Sequence, residues 1–277
     1  DNTILTLPEN IASGNQIATL KVEFVKEGST LTFAGTTASV PAIQVIGVKS
    51  GRLATTATAL TATELAVESG VVGLDVATLN AIASLSDSVT YTLYGDGTLN
   101  KALPGTTPVT IASGTVKPSA ANQFFGRTVT INPGATLDVN GFAQACTVTL
   151  AGGTLTNTGA ALSDQSAWQT YGITLTADST IGGTADMRSL NTNWAAHTIA
   201  LGSRTLTLDN ASKLYWTNAS IENGAIQVAR GTLDIGYGWD KDTGWTKKEA
   251  EATLRNVTLT VAEGAKLTLN RGMTIEG

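Results

Sequence analysis

One short sentence of residues recurs along this chain, and it leaves few folds open. Its clearest copy is Val129-Thr-Ile-Asn-Pro-Gly-Ala-Thr-Leu-Asp-Val-Asn-Gly141. Side chains of a strand alternate between two faces, so Val129 and Ile131 point one way and Thr128 and Thr130 the other. Gly134 marks a corner, where a residue lacking Cβ takes positive φ at little cost. Leu137 and Val139 then resume the inward face. The same pattern of apolar–polar–apolar, corner and Leu recurs from Val22-Glu-Phe24 with Gly28 to Val257-Thr-Leu259 with Gly264, eleven copies in all. Successive corners fall 17 to 33 residues apart.

A period of that length, built of short strands, marks a solenoid. One unit cannot bury its apolar face alone, and stacked units make continuous columns of Val, Ile and Leu. The spacing is too short and the segments too β-rich for paired-helix repeats, and the Asn column of leucine-rich repeats is missing. The expected fold is therefore all-β, a parallel β-helix of about eleven coils. It is taken as right-handed from the chirality of parallel crossovers. Residues 1–277 read as one elongated domain, with 1–20 forming a first coil or an N-terminal cap. One stretch departs from the repeat. Asp75 opens a segment in which Leu79, Ile82 and Leu85 recur every three residues, which reads as a short helix within 75–85, either a lid or an insertion covering apolar surface.

Charged residues make up only 14% of the chain, and the outward positions carry Thr, Ser, Asn and Gly instead. Net charge is −5 with no basic stripe, which argues against a nucleic-acid partner. No apolar run reaches the length of a membrane span. The single Cys146 excludes an intrachain disulfide and reads as a small core residue. The chain opens at Asp1-Asn-Thr-Ile and closes soon after a Leu-Thr-Leu strand, without a polar closing element. Bare end coils expose strand edges, so the chain is expected to be a piece of a longer protein with flanking domains.

Segments such as Gly152-Gly-Thr-Leu-Thr-Asn157 and Gly264-Ala-Lys-Leu-Thr-Leu269 resemble the β-helical stalks of bacterial surface proteins. The closest likeness is to autotransporter passenger regions and autotransporter-associated β-strand repeats. The resemblance covers roughly residues 22–275. It implies export, an extracellular or cell-surface location, and adhesion or contact with glycan.

Chemistry-bearing residues are sparse. Polysaccharide lyases and hydrolases also use this fold, and a glycosidase needs two carboxylates about 5–10 Å apart. Here the acids are scattered. Asp138 and Asp234 each follow the Leu of a copy, so both are expected to face solvent, far apart along the axis. His197 is the only histidine, lacks a partner for a metal site, and reads as a surface or loop residue. Asp240-Lys-Asp-Thr-Gly244 alternates carboxylates but lacks the further ligands of a calcium loop, so no metal or other cofactor is expected. Outward Thr rows such as Thr128/Thr130 and Thr147/Thr149 suit an exposed pleated sheet. They are too irregular for an ice-binding face.

The aromatics carry the strongest functional signal. Eight of the ten Trp and Tyr lie between 168 and 245. This long-loop section spans 163–253. Trp168, Trp194 and Trp216 precede Ile173, Ile199 and Ile221 by five residues each. Equal offsets place Trp168 and Trp194 in one row, about 4.8 Å apart from coil to coil, and Trp216 joins it if its coil aligns on Ile221 and not on the rival Ile226. Either the rings clamp the long loops, or they form a platform for sugar rings. In the second case Trp168, Trp194, Trp216, Tyr171 and Tyr215 contact the ligand, and Asp186 and Asp209 take its hydroxyls. The leading expectation is a non-catalytic protein that binds glycan or extracellular matrix. A polysaccharide-active enzyme and a plain stalk remain open.

Overall fold

The computed structural model describes residues 2–6, 19–34, 37–46, 49–56, 59–67, 71–87, 89–162, 168–190, 197–216, 219–236, 252–269 and 273–277. They form a parallel β-solenoid of about nine turns. Two compact units are present, Asp1–Val116 and Lys117–Gly277.

The first unit has two parallel sheets. In one, Asn2–Thr6, Ser29–Ala34, Gly51–Thr55, Val71–Asp75, Thr90–Tyr94 and Val109–Ile111 pair in succession. In the other, Leu20–Glu23, Thr37–Ile46, Ala59–Val67 and Ile82–Leu85 do so. Register stacks Leu53, Leu74, Leu93 and Ile111 into one fully buried column. The helix is real but short, Val76–Ala81, and buries Val76, Thr78 and Leu79. Ile82 ends it by returning to strand pairing opposite Ala62. Asp75 makes no side-chain cap bond. Its carboxylate instead accepts from Arg52 Nε at 2.8 Å. The Arg52 guanidinium also stacks 4.3 Å from the Tyr94 ring. Gly73 makes room for that ring, since a Cβ there would stand 2.8 Å from Tyr94 Cε2.

The second unit is three-faced. On the first face, Val129, Val148, Ile173, Ile199, Ile221 and Leu254 form one buried column. On the second, Leu137, Leu155, Ile181, Leu208 and Val228 do the same. On the third, Met187, Leu214 and Leu233 are buried and Leu267 continues the column. Gly134 turns the corner between the first two faces at φ +74°. Columns of branched aliphatic side chains at strand spacing are what the repeat demands, and their burial is the main stabilising term.

The copies do not count turns one for one, which corrects the expected eleven coils. Ile199 and Leu206 open the first and second faces of their coil. Ile226 pairs with Leu206, however, and Leu233 pairs with Leu214 on the third face. A strand–glycine–strand unit fits any corner of the solenoid, so the copies slip from one corner to the next.

A second device holds the corners. Asn157 is fully buried and in register with Gly183 and Asn210. Its Oδ1 accepts the Gly141 and Gly159 N–H groups at 2.8 and 3.2 Å. Its Nδ2 donates to the Ala160 and Asp186 carbonyls at 2.9 and 3.0 Å. Asn210 repeats the pattern, donating to Ala185 O at 3.1 Å and accepting from Ser212 N–H at 2.9 Å. Turning backbone thus finds partners in the interior, where unpaired groups would be costly.

Candidate functional site

The third face of the second unit carries the candidate site. Its inward residues alternate with outward ones, as strands require. The outward column reads Arg188, Tyr215, Asp234, Thr268, one side chain per coil. The Arg188 guanidinium stacks over the Tyr215 ring at 4.8 Å to the centroid. Arg188 is only 3% exposed, whereas Tyr215 and Asp234 are half-exposed. A cation held against one side of a phenol ring fixes its orientation and leaves a rigid aromatic beside a carboxylate.

The expected aromatic row looks different in register. Trp168 opens the strand Trp168–Ala177 opposite Ser189, and Ser189 stands opposite Trp216. Ser189 therefore occupies the place between Trp168 and Trp216, and Trp194 lies outside the described residues. Trp216 is fully buried, in the column that continues to Ile235 and Leu269. Its indole Nε1 has no hydrogen-bond partner among the described residues. A shielded indole offers no face to a sugar, so Trp216 belongs to the core. Tyr171 falls at a bulge, because Cys146 pairs with Thr170 and Thr147 with Gly172.

The two flanking acids have local partners. Asp186 accepts from the Ser212 hydroxyl and, at 3.1 Å, from the Lys213 N–H. Asp209 pairs with Arg230, Nε to Oδ1 at 2.6 Å, in an exposed position. Asp186 therefore fixes the entry to the third face, and Asp209 joins the second face to its neighbour coil.

Two titratable groups depart from expectation. Asp138 is 1% exposed instead of solvated. Burial alone pushes its pKa up. The Thr158 hydroxyl and N–H, Lys117 and the Asn140 N–H outweigh that and hold it below the usual carboxylate range. Lys117 Nζ stands 3.0 Å from Oδ2, and the Thr158 and Asn140 N–H groups each donate at 3.0 Å. His197 is 2% exposed, at the start of His197–Ala200, and burial drops its pKa to about 4. It is a core residue and not the loop residue expected. Cys146 is fully buried, as expected of a small core residue.

Sequence reasoning missed Arg188, and it missed the pairing of Tyr215 with Asp234. Each lies between two third-face residues, as in Leu214-Tyr-Trp216 and Leu233-Asp-Ile235, which is the available signal. Unequal coil lengths hide their alignment. The acidic segment 240–244, set aside above as a calcium loop, lies outside the described residues. Among the described residues, no group of three or more His, Cys, Asp or Glu could hold a metal ion. No described helix is long and apolar enough to cross a membrane.

The class these features define is the parallel β-solenoid, with a cation–aromatic–acid column on one outward face. No family model, curated protein or solved structure matches the chain.

Proposed function

We propose that this is a non-catalytic, surface-exposed or secreted solenoid that binds an extended glycan along the third face of its second unit. One observation supports the reading. Arg188, Tyr215, Asp234 and Thr268 follow one another at a single side chain per coil. Coils repeat about every 4.8 Å, close to the length of one sugar unit, so a polysaccharide lying along the axis meets Tyr215, Asp234 and Thr268 in turn, with the buried Arg188 beneath the first. Tyr215 supplies a ring for the apolar face of a sugar, Asp234 and Thr268 take hydroxyls, and Arg188 positions the Tyr215 ring. The resemblance to bacterial surface stalks favours the same setting, with glycan or extracellular matrix as partner.

The test is binding to a panel of plant, fungal and bacterial polysaccharides, with Tyr215→Ala and Asp234→Ala compared with the parent. Tyr215→Ala is expected to weaken binding by about 1–2 kcal/mol, in line with an aromatic contact. Retention of full affinity by both variants would sink the reading. The stalk is the second reading, favoured by Trp216, whose ring is spent inside the fold. A parent chain that binds nothing in the panel would put the stalk first. Release of reducing or unsaturated ends would put the enzyme first.

A further inference from the structure

A different surface of the second unit stands out by what it lacks. Between Pro118 and Leu162 the only charged side chains are Arg127 and Asp138, and both are buried. Every exposed group within residues 118–162 is therefore neutral, in a chain whose net charge is −5, and Lys117 at the margin is paired with the buried Asp138. Where the chain leaves the solenoid face, three stacked corners carry apolar side chains outward. Phe125 is 57% exposed. Ala120, Ala121, Ala160 and Ala161 are exposed, and Phe142 is half-exposed.

These corners are held firmly. Gln123 and Gln144 are buried beneath them. Gln123 Oε1 accepts the Ser119 N–H at 2.8 Å. Gln144 Oε1 accepts the Phe124 N–H at 3.2 Å, and its Nε2 donates to Ala120 O at 2.9 Å. Asn122 and Gly126 bind the next corner through Asn122 N–H to Ala143 O and Gly126 N–H to Ala145 O, each at 2.8 Å. Phe125 is thus presented on a fixed knob, which lowers the ordering cost of any contact it makes.

We propose that this neutral surface, centred on Phe125, is where two copies of the chain associate. Two molecules of the same net charge repel, and the repulsion is least where neither surface bears charge. Depletion of charge with an exposed aromatic at the centre is the composition of an interface core. A two-fold contact brings the same patch from each copy together, and a patch without charge meets itself without like-charge opposition. Contiguous exposed apolar surface of this kind marks interaction sites in soluble proteins.

The test is sedimentation of the 277-residue chain from micromolar to near-millimolar concentration, at low and high salt. The parent is expected to form a dimer that higher salt leaves intact, because exposed charges take no part. Phe125→Asp and, separately, Ala121→Lys each place charge on the patch and should raise the dimer dissociation constant tenfold or more, about the effect of losing a hot-spot contact. Both positions are exposed, so the thermal midpoint of the monomer should stay unchanged, and it is measured alongside. A parent that remains monomeric at every concentration overturns the proposal. So does a dimer that survives both substitutions, or one that dissociates as salt is raised.

Discussion

His197 offers a stability test with an unusually clean readout, because it is the only histidine in the chain. It lies opposite Ala219, 2% exposed, and burial lowers its pKa from 6.5 to about 4. The folded state therefore resists protonation that the unfolded chain accepts freely. As pH falls below about 6.5 the unfolded state takes up the proton first, and stability drains away until the folded pKa is reached. At 1.36 kcal/mol per pKa unit, the full loss between neutral pH and about pH 4 comes to about 3 kcal/mol. Urea unfolding at closely spaced pH values, for the parent and for His197→Gln, measures it. Carboxylates shared by both proteins cancel in the difference. The parent should lose about 3 kcal/mol relative to the variant across this window, though the variant starts less stable if glutamine packs worse. A difference that stays constant between pH 7 and 4.5 would refute the burial of a neutral imidazole.

Leu155, fully buried between Leu137 and Ile181, should cost roughly 2–5 kcal/mol on truncation to Ala, read from the urea midpoint. Leu155→Asp should unfold at least the adjoining coils, visible as lost β signal in circular dichroism. Asp138→Ala strands the Thr158 and Asn140 N–H donors and should cost roughly 1–3 kcal/mol at neutral pH. Since the folded pKa of Asp138 is depressed, its contribution holds above the ordinary carboxylate range and disappears as pH falls through the folded value. The cost of Asp138→Ala should therefore shrink in acid.

Much of the architecture is legible in the sequence because period-two alternation and the corner glycine are local rules. Val129, Ile131 and Leu137 face inward as read, and Gly134 takes the positive φ that its place requires. What local rules cannot supply is register between coils of unequal length. Leu233 looks like Leu137 and Leu155, yet it belongs to the third-face column with Leu214. Counting back from Ile199 points to Trp194, yet Ser189 is the residue opposite Trp168. Asp138 was misread because alternation stops at a corner. Leu137, Asp138 and Val139 are all buried there as the backbone turns. Arg188 was hidden for the same reason as Leu233, since its partners Tyr215 and Asp234 are known only once the third face is aligned.

Asn157 has a mechanical consequence. Neighbouring coils of a solenoid are joined mainly by the ladder between them, so a chain pulled from one end can shed its coils singly. The Asn157 side chain spans more than one boundary. It takes the Gly141 N–H from the coil before and gives to the Asp186 carbonyl in the coil after. Asn210, in the same register, reaches back to Ala185. Peeling the coil of Asn157, or the one that holds Ala185 and Asp186, breaks side-chain bonds on both sides at once. Under tension, this stretch is built to yield as a block, with a few large extensions in place of many small ones.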